Sequence, residues 1–159
     1  MNAPVQGDLQ AGSSRFAIVA SRFNDVITRR LIEGATDCLL RHGADPSAID
    51  TFICPGSFEI PLVASRIAAT KKHDAIVCLG AVIKGDTPHN EYIAAEVTKG
   101  IAQLMLQHQL PISFGILTTN TLEQALERAG LKHGNKGWEA ALSALEMVNL
   151  LGQIEPADA

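Results

Sequence analysis

The chain has 159 residues, nearly half of them hydrophobic (47%), and a formal net charge of -4. That length suits one domain with a sizeable core, and the charge argues against a nucleic-acid or anionic-membrane partner. No apolar run approaches the ~20 residues of a membrane helix, and the opening MNAPVQGDLQAGSS has neither the basic start nor the apolar core of a signal peptide.

Residues 1–14 are expected to form a flexible N-terminal arm, residues 15–152 a single domain and residues 153–159 a polar tail. Residues 15–20 contain Phe16-Ala17-Ile18-Val19-Ala20, a continuous apolar run that reads as a strand buried on both faces. It ends in SRFND at 21–25, where Asn24 is placed to cap a helix and Asp25 to sit in its first turn. Ile27, Leu31, Ala35, Cys38 and Leu39 then keep helical spacing to Gly43. Residues 49–54 read as a second, weakly patterned strand, followed by a Pro55-Gly56-Ser57 turn. Ser57 is expected to cap a helix from residue 58 to about 70, with Pro61 in its first turn.

Residues 75–83, AIVCLGAVI, form the third strand and stop at Lys84-Gly85. After His89 the pattern turns helical, through Ile93, Val97, Ile101 and Leu104, until Leu110-Pro111 breaks it. Ile112, Phe114, Ile116 and Leu117 mark a fourth strand. Thr121-Leu122-Glu123-Gln124 matches a capping box for a short helix that Gly130 ends. A glycine-bearing loop over 132–137 leads to a last helix with an apolar stripe of Trp138, Ala141, Leu142, Leu145 and Val148.

Strand and helix alternate four times. That pattern predicts an α/β fold: a three-layer α/β/α sandwich around a four-stranded parallel sheet with right-handed crossovers, flavodoxin-like in outline. In such sheets ligands bind beyond the carboxyl ends of the strands. The loops expected at that edge carry Phe23, then Ser57, Phe58 and Glu59, then Lys84, Asp86, Thr87 and His89, then Thr118 to Asn120 beyond Phe114, with Arg128 and Lys136 following. An aromatic platform, hydroxyls, carboxylates, an imidazole and cations together suit a small polar ring compound and an anionic partner such as a phosphate. Taken singly, each has a plainer reading. Phe23 can be a core residue, Ser57 only a cap, Asp86 and Thr87 turn formers, His89 a surface histidine and Arg128 a complement to a helix dipole. Lys84 has nothing nearby to lower its pKa for Schiff-base chemistry. Cys38, Cys54 and Cys78 are an odd number at wide spacing without a CxxC, and read as buried reduced thiols of a cytoplasmic protein. Neither a P-loop, GxGxxG, GxSxG nor HExxH is present.

The segments SRFND at 21–25, PGSFEIP at 55–61, LGAVIKGDTPH at 79–89, FGILTTNTLEQALERAG at 114–130 and HGNKG at 133–137 together resemble the lumazine synthases of riboflavin biosynthesis, in order and over nearly the whole chain. The resemblance implies condensation of 5-amino-6-(D-ribitylamino)uracil with L-3,4-dihydroxy-2-butanone 4-phosphate, with loss of phosphate and two waters and no cofactor or metal. It implies that Phe23 stacks on the pyrimidine, that Ser57, Phe58 and Glu59 hold the ribityl chain, and that Ala81, Val82 and Ile83 present backbone groups to the ring edge. Asp86 and Thr87 would line the phosphate loop and His89 would transfer the proton. Phe114 would contact the aminouracil and Arg128 the phosphate, with Lys136 nearby. The Asp86 carboxylate should repel a phosphate, so its backbone N–H is expected to bind while its side chain points away. At the position a few residues after Phe23 where members often carry an aromatic, this chain has Ile27.

The resemblance further implies a homopentamer, with Phe114 and Arg128 supplied to each site by the neighbouring subunit. A 60-subunit capsid is favoured by the short loop before the last helix. The N-terminal arm would add an edge strand to a neighbour's sheet, and riboflavin synthase would be a functional partner. Two rival readings are a non-catalytic lumazine-binding or shell protein, and a flavodoxin-like phosphate- or nucleotide-binding regulator.

Overall fold

The computed structural model describes residues 1–132 and 134–154. His133 of the HGNKG segment and residues 155–159 of the expected tail lie outside the described residues. The sheet consists of β1 (Phe16–Ser21), β2 (Ile49–Cys54), β3 (Ala75–Ile83) and β4 (Ile112–Thr119), all parallel, in the order β2-β1-β3-β4. The connecting helices are α1 (Asp25–Arg41), α2 (Ile60–Thr70), α3 (His89–His108), α4 (Leu122–Arg128) and α5 (Lys136–Gly152). None of them is long and apolar enough to cross a membrane.

The unbroken apolar runs of β1 and β3 follow from their central places, where helices cover both faces. Phe16, Ile18, Val77 and Leu79 enter the core under α1, α4 and α5, and their neighbours Ala17, Val19, Ile76 and Cys78 enter the core under α2 and α3. This is the three-layer sandwich that the alternation predicts. Each large side chain so enclosed contributes about 1.5–3 kcal/mol relative to its exposed state. β2 is an edge strand, and Thr51, Phe52 and Ile53 are exposed, which accounts for its weak apolar pattern.

Two caps differ from expectation. Asn24 does precede α1, but it is left-handed (φ 63) and its side chain makes no capping bond. Its amide instead donates to the Ala81 carbonyl on β3 at 3.0 Å. Ser57 does not cap α2: it opens a short 3-10 turn, Ser57–Glu59, behind Gly56, and α2 begins only at Ile60. The hydroxyl is thereby free for another task. The capping box of α4 is present. Thr121 Oγ1 accepts from the Gln124 N–H at 3.1 Å, and Gln124 Oε1 accepts from the Asn120 N–H at 2.9 Å, one residue before the cap. Lys71 and Gln109 end α2 and α3 in the left-handed region without glycine.

α5 lies on α1 through small residues. A Cβ at Gly137 would overlap the Leu31 carbonyl of α1, backbone against backbone. Gly137→Ala therefore forces the two helices apart, and the expected cost is about 2 kcal/mol, read as a lower urea midpoint at unchanged m-value. The N-terminal arm follows α5: the Asn149 amide donates to the carbonyls of Asp8 at 2.6 Å and Gln10 at 2.9 Å, and Gln153 Nε2 donates to Gln6 at 2.7 Å. At the amino ends of the strands His73 Nε2 lies 2.7 Å from Asp50 Oδ2, and Arg15 stands 3.5 Å away. The bond to His73 is the main cause that holds the Asp50 carboxyl below its ordinary range. This polar knot sits at the amino ends of the strands, opposite the loops that follow their carboxyl ends.

Candidate active site

The carboxyl ends of β1, β2 and β3 open into a cleft of about 710 Å³ closed on one side by the start of α3. Its construction begins with the turn after β1. The Arg22 N–H donates to the Cys54 carbonyl at 2.7 Å and the Phe23 N–H to the Pro55 carbonyl at 3.0 Å, so the turn is fastened to the end of β2. With Asn24 tied to Ala81, the Phe23 ring is held over the cleft at 72% exposure. At that exposure Phe23 is not a core residue, and its ring is available for stacking.

The 3-10 turn after β2 puts Ser57 against the floor, buried, and leaves Phe58 exposed beside Glu59. Gly80 of β3 makes this approach possible: a Cβ there would stand 2.6 Å from Ser57 Oγ and 3.1 Å from Ser21 Oγ. Ala81, Val82 and Ile83 complete the floor. The Lys84 N–H continues the sheet by donating to the Thr119 carbonyl at 2.9 Å, after which the chain turns through Gly85 to Pro88 into α3. His89 is the first residue of α3, and its N–H donates to Thr87 Oγ1 at 3.4 Å. Thr87 and His89 both line the cleft, beside backbone N–H groups of a helix start that favour an anion.

The structure therefore brings together Phe23, Ser57, Phe58, Glu59, Ala81, Val82, Ile83, Thr87 and His89. Asp86 is exposed and is not among the lining residues, although Gly85 and Thr87 on either side are. Three other expected residues stand elsewhere. Phe114 and Lys136 line a second cleft of about 550 Å³ along the β4 edge, between the end of α3 and α5. Arg128 is exposed at the end of α4 and lines neither cleft.

The first cleft is also lined by residues beyond those expected from the loops. Tyr92, Ile93 and Glu96 line it. Their spacing from His89 puts them on one helical face, a signal present in the sequence. Asn90 lines it too, with a buried carboxamide oxygen that has no hydrogen-bond partner among the described residues. No periodicity marks that position.

The thiol beneath the site is disfavoured as a thiolate. Burial, and then the nearby Glu59 carboxylate, push the Cys54 thiol up, and its Sγ is 3.4 Å from the Gly56 carbonyl. Cys38 is pushed up to about 11 by burial and by Asp37, and burial raises Cys78 further. All three cysteines are free and buried, and they remain protonated near neutrality.

A family model described as 6,7-dimethyl-8-ribityllumazine synthase matches residues 13–152. Curated proteins of that name are similar over most of their length. The protein from Thermosynechococcus vestitus is 61% identical over 150 residues, covering 92% of this chain and 84% of its own. The protein from Chloroherpeton thalassium is 56% identical over 150 residues, covering 94% and 97%. The one from Chlorobium phaeobacteroides (strain DSM 266) is 54% identical over 149 residues, covering 94% and 96%.

Proposed function

The chain belongs to the 6,7-dimethyl-8-ribityllumazine synthase family, and from that premise we infer how the cleft performs the family's reaction. The protein condenses 5-amino-6-(D-ribitylamino)uracil with L-3,4-dihydroxy-2-butanone 4-phosphate in the penultimate step of riboflavin biosynthesis. The observation that carries the site assignment is the joint placement of Phe23, Ser57, Phe58, Glu59, Thr87 and His89 around one cleft.

Phe23 stacks on the pyrimidine, and Ser57, Phe58 and Glu59 hold the ribityl chain. The backbone of Ala81 to Ile83 meets the ring edge. The amine of one substrate and the ketone of the other are already reactive, so holding them in register supplies much of the rate through effective molarity. The Schiff base forms with loss of water. His89 then takes a proton beside the former keto carbon and phosphate leaves, its charge met by the α3 N–H groups and by Arg128. Ring closure releases the second water. Thr87 lines the phosphate loop, and the neighbouring Asp86, off the cleft wall in this protomer, would turn only its backbone N–H toward the anion.

Arg128, Phe114 and Lys136 belong to this scheme only if another copy supplies them. Their position off the first cleft supports a site shared between neighbours. The β2 edge exposes Phe52 and Ile53, and the β4 edge exposes Met105, Phe114 and Met147. Two different apolar edges on one protomer suit a head-to-tail ring, which a heterologous interface closes. We take that ring to be the family's homopentamer, with the 60-subunit capsid as the favoured larger assembly and riboflavin synthase as a functional partner. Three protonated buried thiols are in keeping with a cytoplasmic setting.

The test is a stopped assay with both substrates, following the absorbance of the lumazine against a blank without protein. The blank is needed because the uncatalysed condensation proceeds on its own. A rate well above it is expected. A rate equal to it, with folded protein that still binds the aminouracil, would instead identify a binding or shell-forming member of the family.

A further inference from the structure

Arg128, assigned to the phosphate, and Lys136, assigned beside it, flank a single short loop. We infer that Asn135 is the positioning residue that holds these two cations at a fixed spacing. Its carboxamide makes four hydrogen bonds. Nδ2 donates to the Arg30 carbonyl of α1 at 3.0 Å and to the Ala129 carbonyl at 3.1 Å. Oδ1 accepts from the N–H groups of Gly137 at 2.7 Å and Trp138 at 3.1 Å. A primary amide offers two N–H donors and one acceptor oxygen with two lone pairs, so the group is saturated and its orientation is dictated by its partners.

The geometry acts on both cations at once. Arg128 immediately precedes Ala129, and Lys136 immediately follows Asn135. The backbones of Ala129 and Asn135 also pair as an antiparallel bridge, which closes the loop at its base, and Gly130 turns it at φ +103. One side chain thus fastens the end of α4 and the start of α5 to the middle of α1. Gly34 gives it room, since a Cβ there would overlap the carboxamide. Capping α5 does not by itself require asparagine. Aspartate or serine would serve the Gly137 and Trp138 N–H groups as well, but neither can donate to two carbonyls. The two ties are what the amide adds, and a group that aims a charged side chain from behind is where supporting hydrogen bonds matter most.

This inference rests on Arg128 and Lys136 serving the phosphate, so the experiment measures that assumption separately. The full-length assembled protein is prepared as wild type, Asn135→Asp, Arg128→Ala and the double variant. The KM for the four-carbon ketone phosphate is set against the Kd for the aminouracil. Asn135→Asp keeps the cap and replaces both ties with a carboxylate facing two carbonyls. It is expected to raise the ketone phosphate KM about fivefold to tenfold, to leave the aminouracil Kd unchanged, and to add little on top of Arg128→Ala. Gly34→Ala, which displaces the carboxamide without altering the cap residue, is expected to do the same and serves if Asn135→Asp does not fold. An unchanged KM in both variants, with Arg128→Ala raising it, overturns the positioning role alone. So does an equal loss of affinity for both substrates. An unchanged KM in Arg128→Ala overturns the phosphate assignment beneath it, and the inference falls with it.

Discussion

Replacing His89 by alanine is expected to lower turnover about tenfold to a hundredfold and to leave aminouracil affinity within about twofold. The loss lies at or below the low end of what a positioned proton-transfer group contributes, because the amine and ketone condense without help once they are held together. Binding is spared because the residues assigned to the aminouracil, Phe23 and the Ser57 turn, are built from β1 and β2 and do not depend on the imidazole. The helix is spared too. α3 has no side-chain cap to lose, and His89 at its first position enters the local structure through its backbone N–H to Thr87. The measurement is steady-state turnover, corrected for the blank, beside a direct titration of the aminouracil. Unchanged turnover would remove His89 from the mechanism.

Arg128→Ala is expected to act on the other substrate. Loss of a guanidinium that binds a phosphate removes charge-assisted hydrogen bonds of about 1.5–3 kcal/mol, which is about tenfold to a hundredfold in affinity. The ketone phosphate KM should rise by that factor and the aminouracil Kd should not move. Arg128 is exposed at the end of α4 and makes no ion pair among the described residues, so its removal leaves no orphaned partner charge to confuse the result. Arg128→Lys should recover part of the affinity, since lysine keeps the charge but not the planar fork. Equal weakening of both substrates would contradict a phosphate-specific role.

What was readable in the sequence was what depends on near neighbours. The double-sided burial of β1 and β3 appears as unbroken apolar runs, and the Thr121 capping box is spelled out within four residues. What escaped depends on distant partners or on backbone shape. Asn24 looks like a cap, yet its amide serves Ala81, 57 residues away. Ser57 looks like a cap as well, but the chain first makes a 3-10 turn and leaves its hydroxyl in the cleft. Asn135 is one polar residue among several in its loop, and its distant tie is to Arg30, 105 residues away. The sharpest limit concerns Phe114. Pattern alone assigns it to a strand near the right sheet edge, but only the strand order shows that β4 is the outer strand and that Phe114 faces a different cleft.

The seating of α5 on α1, with Gly137 against Leu31 and Asn135 against Gly34, also bears on how the chain comes into being. β1 occupies the middle of the sheet, and both strands that flank it are made later. The first helix receives its cover from the last one. A ribosome releasing this chain from its amino end therefore exposes the apolar stripe of α1, with Ile27, Leu31 and Ala35, for almost the whole of synthesis. Parallel pairing across long crossovers is slow to form, and uncovered apolar surface in unfinished chains is prone to stick. The side of the core that holds α1 is completed only once α5 is made, whereas the side under α2 and α3 needs no residue of α5; until then the α1 stripe is open to contacts with other chains.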